Sequence, residues 1–280
     1  MFLLLFYTFI ILGHKQKHMD LFSCQLTLVH IIMFFTGGNI LLADIFESLN
    51  IMNNIRCKAI FYTSRVMRGL SICITCVLSV FQAVTISPST SLLAKFKQKL
   101  KKYMINVLFY IWFFNLSVSS NMLFYVGSFT NVSETKQMKV TKSCSLFPMN
   151  YIIRGLIIIL STSRDVFLVA VMLTASAYMV IILHRHQRQC KHLHSISNLR
   201  ASPEKKATQT ILLLVIFFVV MYWVDFIISL TSLLLWMYDP VFLTAQTFVM
   251  NAYPTITPLV QIISDKRINN FLKNLQSKCH

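Results

Sequence analysis

The chain is expected to be an all-α membrane protein, a bundle of seven transmembrane helices with its N-terminus outside. Three observations predict it. Of its 280 residues, 56% are hydrophobic and only 12% charged, whereas soluble domains carry about 45–50% apolar and about 25% charged residues. Apolar runs of spanning length recur along the whole chain. Lysine and arginine concentrate in alternate loops. The formal net charge of +17 does not indicate a nucleic-acid partner, because the basic residues sit in short loops and not on one soluble face.

Six full spans are expected at about 21–42, 57–86, 103–126, 155–183, 207–236 and 241–263. A seventh, 2–12, comes first. Its 11 residues rise roughly 16 Å against a hydrocarbon core of about 30 Å, so it is expected to be a first span lacking its outer half. It lacks the leading basic residue and small-residue cleavage site of a signal peptide. Together these spans make one domain over 1–268, followed by a cytoplasmic tail, 269–280. Glycines and prolines number six each, so the spans should be continuous helices. The last is the exception, because Pro254 and Pro258 each remove an intrahelical hydrogen bond.

One set of loops holds 17 lysines and arginines, including Lys95, Lys97, Lys99, Lys101 and Lys102, and the other set holds five. The richer set belongs in the cytosol. The sequon Asn131-Val-Ser133 then lies outside, as a glycosylation site should. The second sequon, Asn115-Leu-Ser117, falls inside the fourth span, beyond reach of a transferase.

Of seven cysteines, Cys24, Cys73 and Cys76 lie in apolar spans and Cys190 and Cys279 in basic cytosolic segments. Cys57 and Cys144 remain, both outside, where a bridge can form and tie the Asn131 loop over the third span.

Charge within the spans marks candidate sites, since a cation at membrane depth costs about 2.5 kcal/mol or more. Arg65 and Arg68 share one face of the third span. Arg164 and Asp165 lie at comparable depth in the fifth, and Asp225 follows Tyr222 and Trp223 in the sixth. These residues suit a cavity for an anionic or hydrogen-bonding small molecule. The bland reading is a set of structural ion pairs among the arginines, Asp165 and Asp225, with the aromatics as core. His184, His186, His192 and His194 invite a metal reading, but they alternate with Arg185, Arg188 and Lys191 in a basic segment that reads as a solvated or docking face. The inner basic segments suit anionic lipid or a cytosolic protein. Cys279 reads equally as an acylation site or a plain thiol. There is no His-Glu-x-x-His, no Gly-x-Ser-x-Gly and no phosphate-binding glycine loop, so neither enzymatic activity nor a cofactor is expected.

Seven spans, an outer N-terminus and a Cys57–Cys144 bridge resemble a G-protein-coupled receptor. The run Arg65-Val-Met-Arg68-Gly-Leu-Ser-Ile-Cys-Ile-Thr-Cys-Val-Leu-Ser-Val-Phe-Gln-Ala-Val-Thr-Ile-Ser-Pro88 closely resembles the third-helix signature of vomeronasal type 1 pheromone receptors. So do Ser163-Arg164-Asp165-Val-Phe, His192-Leu-His194-Ser, Ser202-Pro-Glu204-Lys-Lys-Ala-Thr-Gln-Thr-Ile-Leu-Leu-Leu-Val215, Tyr222-Trp-Val-Asp225 and Ser264-Asp-Lys-Arg-Ile268. The resemblance runs from about Phe2 to Ile268.

It implies a plasma-membrane receptor for small pheromone-like ligands that signals through an inhibitory-class heterotrimeric G protein. Ligand would bind among the third, fifth, sixth and seventh helices, at Arg65, Arg68, Arg164, Asp165, Tyr222 and Asp225. Gln82, Thr85, Pro88, Arg188, His192 and Lys205 would meet the G protein. Gln82–Pro88 stands where rhodopsin-like receptors carry Asp-Arg-Tyr, and Thr257-Pro258-Leu259-Val260 where they carry Asn-Pro-x-x-Tyr. The chain starts after the outer tail and Gly-Asn pair of that family, which leaves a truncated, non-signalling protein as one alternative. A small-solute transporter or channel is the other, although the internal repeats typical of such proteins are absent from the sequence.

Overall fold

The computed structural model describes residue 8, residues 18–45, 54–87, 92–128, 138–139, 144–146 and 150–193, and scattered helical positions between 213 and 257. Its elements are α1 (His18–Ile45), α2 (Asn54–Ile86), α3 (Leu92–Ser119), α4 (Met122–Tyr125), β1 (Val126–Ser128), β2 (Met138–Lys139), β3 (Cys144–Leu146) and α5 (Tyr151–Leu193). Among the described residues, four stretches are long and apolar enough to cross a membrane: Asp20–Gly38, Asn54–Ile86, Lys102–Tyr125 and Gly155–Ile182. They correspond to the second, third, fourth and fifth expected spans. The expected spans at 2–12, 207–236 and 241–263 fall largely outside the described residues.

α2 is the hub, packing against α1, α3, α5 and β1. A helix with one apolar face buries one stripe, but α2 buries Val66, Met67 and every residue from Gly69 to Cys76. Burial on all sides needs neighbours on all sides. On one flank Phe22, Leu26 and Val29 of α1 join Val66, Met67, Leu70 and Ile74, with Met104 of α3 closing the cluster. On the other flank Val169 and Met172 of α5 meet Ile72 and Cys76. Two hydroxyls buried in α2 are satisfied within the helix. Thr75 Oγ1 donates to the Ser71 carbonyl at 2.7 Å, and Ser79 Oγ donates to the Thr75 carbonyl at 2.9 Å, which removes the cost of leaving them unpaired away from water.

α3 and α5 turn large apolar side chains outward, among them Phe109, Tyr110, Phe113 and Phe114 on α3 and Ile152, Leu156, Ile159, Leu160 and Phe167 on α5. So much exposed apolar surface suits hydrocarbon and would be costly in water. The fourth expected span, 103–126, differs in shape from a single helix. α3 begins at Leu92, before the apolar run, and the chain breaks at a turn over Ser120 and Asn121. Ser120 Oγ donates to the Ser117 carbonyl at 2.7 Å. Serine and asparagine side chains compete in this way for the backbone that a helix needs.

Beyond the turn, β1, β3 and β2 form a small antiparallel sheet in that order, with Ser128 opposite Cys144. The sheet is joined to the start of α2 by a Cys57–Cys144 disulfide with a Cα–Cα distance of 5.9 Å. Cys57, Val126 and Cys144 pack as a buried cluster with Phe61 and Met122.

Candidate ligand-binding site

Arg65 and Arg68 lie eight and 11 residues after Cys57 on α2, roughly 12 and 16 Å along the helix from the disulfide. At this depth three helices bring polar side chains together. Arg65 Nη2 donates to Ser161 Oγ of α5 at 2.9 Å. Arg164, one turn further along α5, binds its neighbour Asp165, with Nε donating to Oδ1 at 2.8 Å and Nη2 lying 2.6 Å from the same oxygen. Arg164 Nη1 reaches Asn115 Oδ1 of α3 at 3.4 Å. The Asn115 amide nitrogen donates to the Ile111 carbonyl at 2.8 Å and lies 3.5 Å from Cys73 Sγ of α2. Asn115 thus links α2, α3 and α5.

Gly69 makes this meeting possible. A Cβ at position 69 would overlap Asn115 Oδ1 and stand 3.4 Å from Arg164 Nη1. A small residue at a helix contact lets a partner approach the backbone, the usual device where helices meet in a bilayer. Gly37 of α1 is a second such point, where a Cβ would overlap Asn251 Oδ1.

The electrostatics are lopsided. Arg65 lies within electrostatic range of Arg68, Arg164 and Asp165, so three cations share one described carboxylate. Asp165 neutralises Arg164, its own neighbour. The formal charges of Arg65, Arg68, Arg164 and Asp165 sum to +2, and such a group suits a ligand that is anionic or rich in hydrogen-bond acceptors. No group of three His, Cys, Asp or Glu side chains among the described residues could hold a metal ion.

Four of the six expected ligand residues, Arg65, Arg68, Arg164 and Asp165, are described; Arg65 and Arg164 make the two polar links between helices, and Asp165 pairs with Arg164. Tyr222 and Asp225 lie outside the described residues. So do Asn131, Pro88 and Lys205. Gln82 and Thr85 stand near the far end of α2, where Thr85 Oγ1 donates to the Gln82 carbonyl at 2.9 Å and Gln82 Oε1 is buried with no hydrogen-bond partner among the described residues. Ser87 Oγ and the Tyr178 hydroxyl, 2.9 Å apart, join that end of α2 to α5. Arg188 and His192 lie in the last turns of α5.

Sequence reasoning passes over three residues of this interior. Asn115 reads in the sequence only as an unreachable sequon, yet the depth that bars a transferase is the same depth that obliges a buried amide to find partners. Ser161 carries no signal among the other hydroxyls. His30, in the second expected span, is buried at 2% exposure, with Nε2 3.1 Å from Ser71 Oγ. An ionisable residue within a span is the signal for it.

Several membrane-crossing helices, a disulfide-anchored sheet at one end and a charged cluster buried beneath it define a multi-pass membrane protein with an interior polar site. A model of the vomeronasal organ pheromone receptor family matches residues 1–274. The chain is 42% identical to vomeronasal type-1 receptor 90 of Rattus norvegicus over 98% of its own length and 88% of that relative's. It is 39% identical to the rat's vomeronasal type-1 receptor 100, covering 98% and 84%, and 37% identical to vomeronasal type-1 receptor 48 of Mus musculus, covering 97% and 90%. The chain belongs to the vomeronasal organ pheromone receptor family and is a multi-pass receptor of the plasma membrane.

Proposed function

We propose that this receptor binds small pheromone-like molecules in the outer half of its bundle and activates an inhibitory-class heterotrimeric G protein at its cytosolic face. The observation that carries the reading is the cluster of arginines within the bundle, in which Arg65 bonds to Ser161 of α5 and Arg164 bonds to Asp165 and Asn115. Arg65, Arg68, Arg164 and Asp165 form the polar wall, and Tyr222 and Asp225 complete it from the sixth helix.

A ligand acts by preferring one arrangement of helices over another, since only differential affinity shifts a population. A ligand anion or acceptor competes with Asp165 and Ser161 for the guanidinium groups, and so bears on the links that join α2, α3 and α5. The same α2 ends in Gln82 and Thr85, which with Pro88, Arg188, His192 and Lys205 supply the G-protein face. The buried, unpartnered Gln82 Oε1 supports a second arrangement there, because such a group gains a hydrogen bond when its surroundings open.

The test is a dose response in cells that display the chain at their surface with an inhibitory-class G protein, read as falling cyclic AMP against a panel of small carboxylates, sulfates and neutral acceptors. Arg68→Ala should lower agonist potency at unchanged surface level. If its curve overlays the parent's, the pocket assignment is wrong.

A further inference from the structure

The N-terminal part of α3 has no role in the ligand site. The helix begins at Leu92, so Lys95, Lys97, Lys99, Lys101 and Lys102 lie on a helix continuous with the membrane span. No aspartate or glutamate occurs from residue 48 to residue 133, so these five charges have no carboxylate nearby in the chain.

Helical register divides the five. Positions 95, 99, 102, 106, 109 and 113 follow spacings of four and three and make one stripe. Its described members are all exposed: Lys102 and Asn106, then Phe109 at 68% and Phe113 at 63%. Positions 97, 101, 104, 108, 111 and 115 make the opposite stripe, where Met104, Leu108 and Ile111 join the core and Asn115 is fully buried. By register, positions 95, 99 and 102 continue the stripe of Phe109 and Phe113, and positions 97 and 101 continue the stripe of Met104 and Ile111. Lys102 Nζ lies 5.8 Å from the centre of the Tyr103 ring, and Tyr103 is half exposed, as a tyrosine at a membrane interface commonly is. From 95 to 102 the helix rises roughly 10 Å, enough to cross a headgroup layer about 5–8 Å deep.

We propose that Lys95, Lys99 and Lys102 bind a polyanionic phospholipid headgroup of the cytosolic leaflet, of the phosphorylated-inositol class, with the acyl chains lying along Phe109 and Phe113. The site rests on the orientation proposed for the receptor and is independent of its ligand pocket.

The full-length chain, purified in neutral detergent, is titrated with phosphatidylinositol bisphosphate, and bound lipid is counted by native mass spectrometry. Each stripe lysine contributes roughly fivefold to affinity, so K95Q/K99Q/K102Q should weaken binding about a hundredfold and K97Q/K101Q less than about threefold. K95R/K99R/K102R should bind like the parent. Lys102→Gln alone, with about a fivefold loss, keeps the test valid should the triple variant misfold. Equal losses in the two lysine groups, or no loss in either, would overturn the proposal, the latter leaving the stripe to a protein partner. Displacement of the lipid by an equimolar amount of soluble inositol trisphosphate would overturn it as well, since the site would then be a polyphosphate site.

Discussion

Gly69 and Asn115 show how much one contact between helices carries. A methyl group at position 69 would overlap Asn115 Oδ1, the atom that receives Arg164 Nη1. Gly69→Ala should therefore cost about 1–3 kcal/mol through overpacking, read as an earlier thermal transition of the detergent-solubilised chain. Gly155→Ala is the control, because nothing lies within 4 Å of a Cβ there. An equal shift in both variants would remove the close approach from the account. Arg65 and Ser161 make a simpler pair. A double-mutant cycle with Arg65→Ala and Ser161→Ala should return a coupling of roughly 0.6 kcal/mol, the average for hydrogen bonds between membrane helices. Arg65 and Arg68 were legible as site candidates because charge inside an apolar run is expensive. Asn115 and Ser161 were not, because an amide or hydroxyl in a helix satisfies itself locally as readily as across an interface.

At the level of elements, α2 is fixed at its N-terminal end and enclosed along its middle. The disulfide closes a loop with a sequence separation of 87 residues and ties β3 to the start of α2. Cys57→Ser should destabilise the chain by roughly 2–4 kcal/mol, as should Cys144→Ser, and the double variant should match either single one. Melting curves with and without reductant check this, and additive losses would mean that the two cysteines act separately. Cys73 and Cys76 are buried in the middle of α2. They should resist a maleimide in the native chain and react fully after denaturation, as counted by mass spectrometry. Prompt labelling of either in the native state would show that α2 is not enclosed. The break between α3 and α4 was not legible beforehand, because hydropathy averages over Ser117 to Asn121 and conceals a turn at which Ser117 and Ser120 bond to backbone carbonyls.

Across the whole molecule, orientation joins the two ends of the argument. In the orientation proposed from the lysine-rich loops, the sheet, the disulfide and Asn131 lie outside. Enzymatic removal of N-linked glycan should therefore shift the chain's mobility, Asn131→Gln should abolish the shift, and Asn115→Gln should leave it intact. Absence of any shift in the parent chain would place Asn131 in the cytosol, which inverts the bundle and puts the basic face of α3 outside. With the orientation as proposed, α2 spans the distance between a cationic outer cluster and an inner end held to α5 by Ser87 and Tyr178. Movement of α5 against α2 then bears on both.

The amino-acid sequence by itself determined the class of protein, the family and the places of the four membrane segments found among the described residues, because these rest on local quantities: apolar run length, the cost of buried charge and long motifs in order. It also singled out Cys57 and Cys144 by compartment. Only the tertiary structure decided which helices meet and through what. That Asp165 serves Arg164 while Arg65 turns to Ser161, that Gly69 admits Asn115, and that three lysines of α3 share a stripe with outward phenylalanines all follow from helix register and rotation. Composition does not encode rotation, which is settled by packing every face of α2 at once.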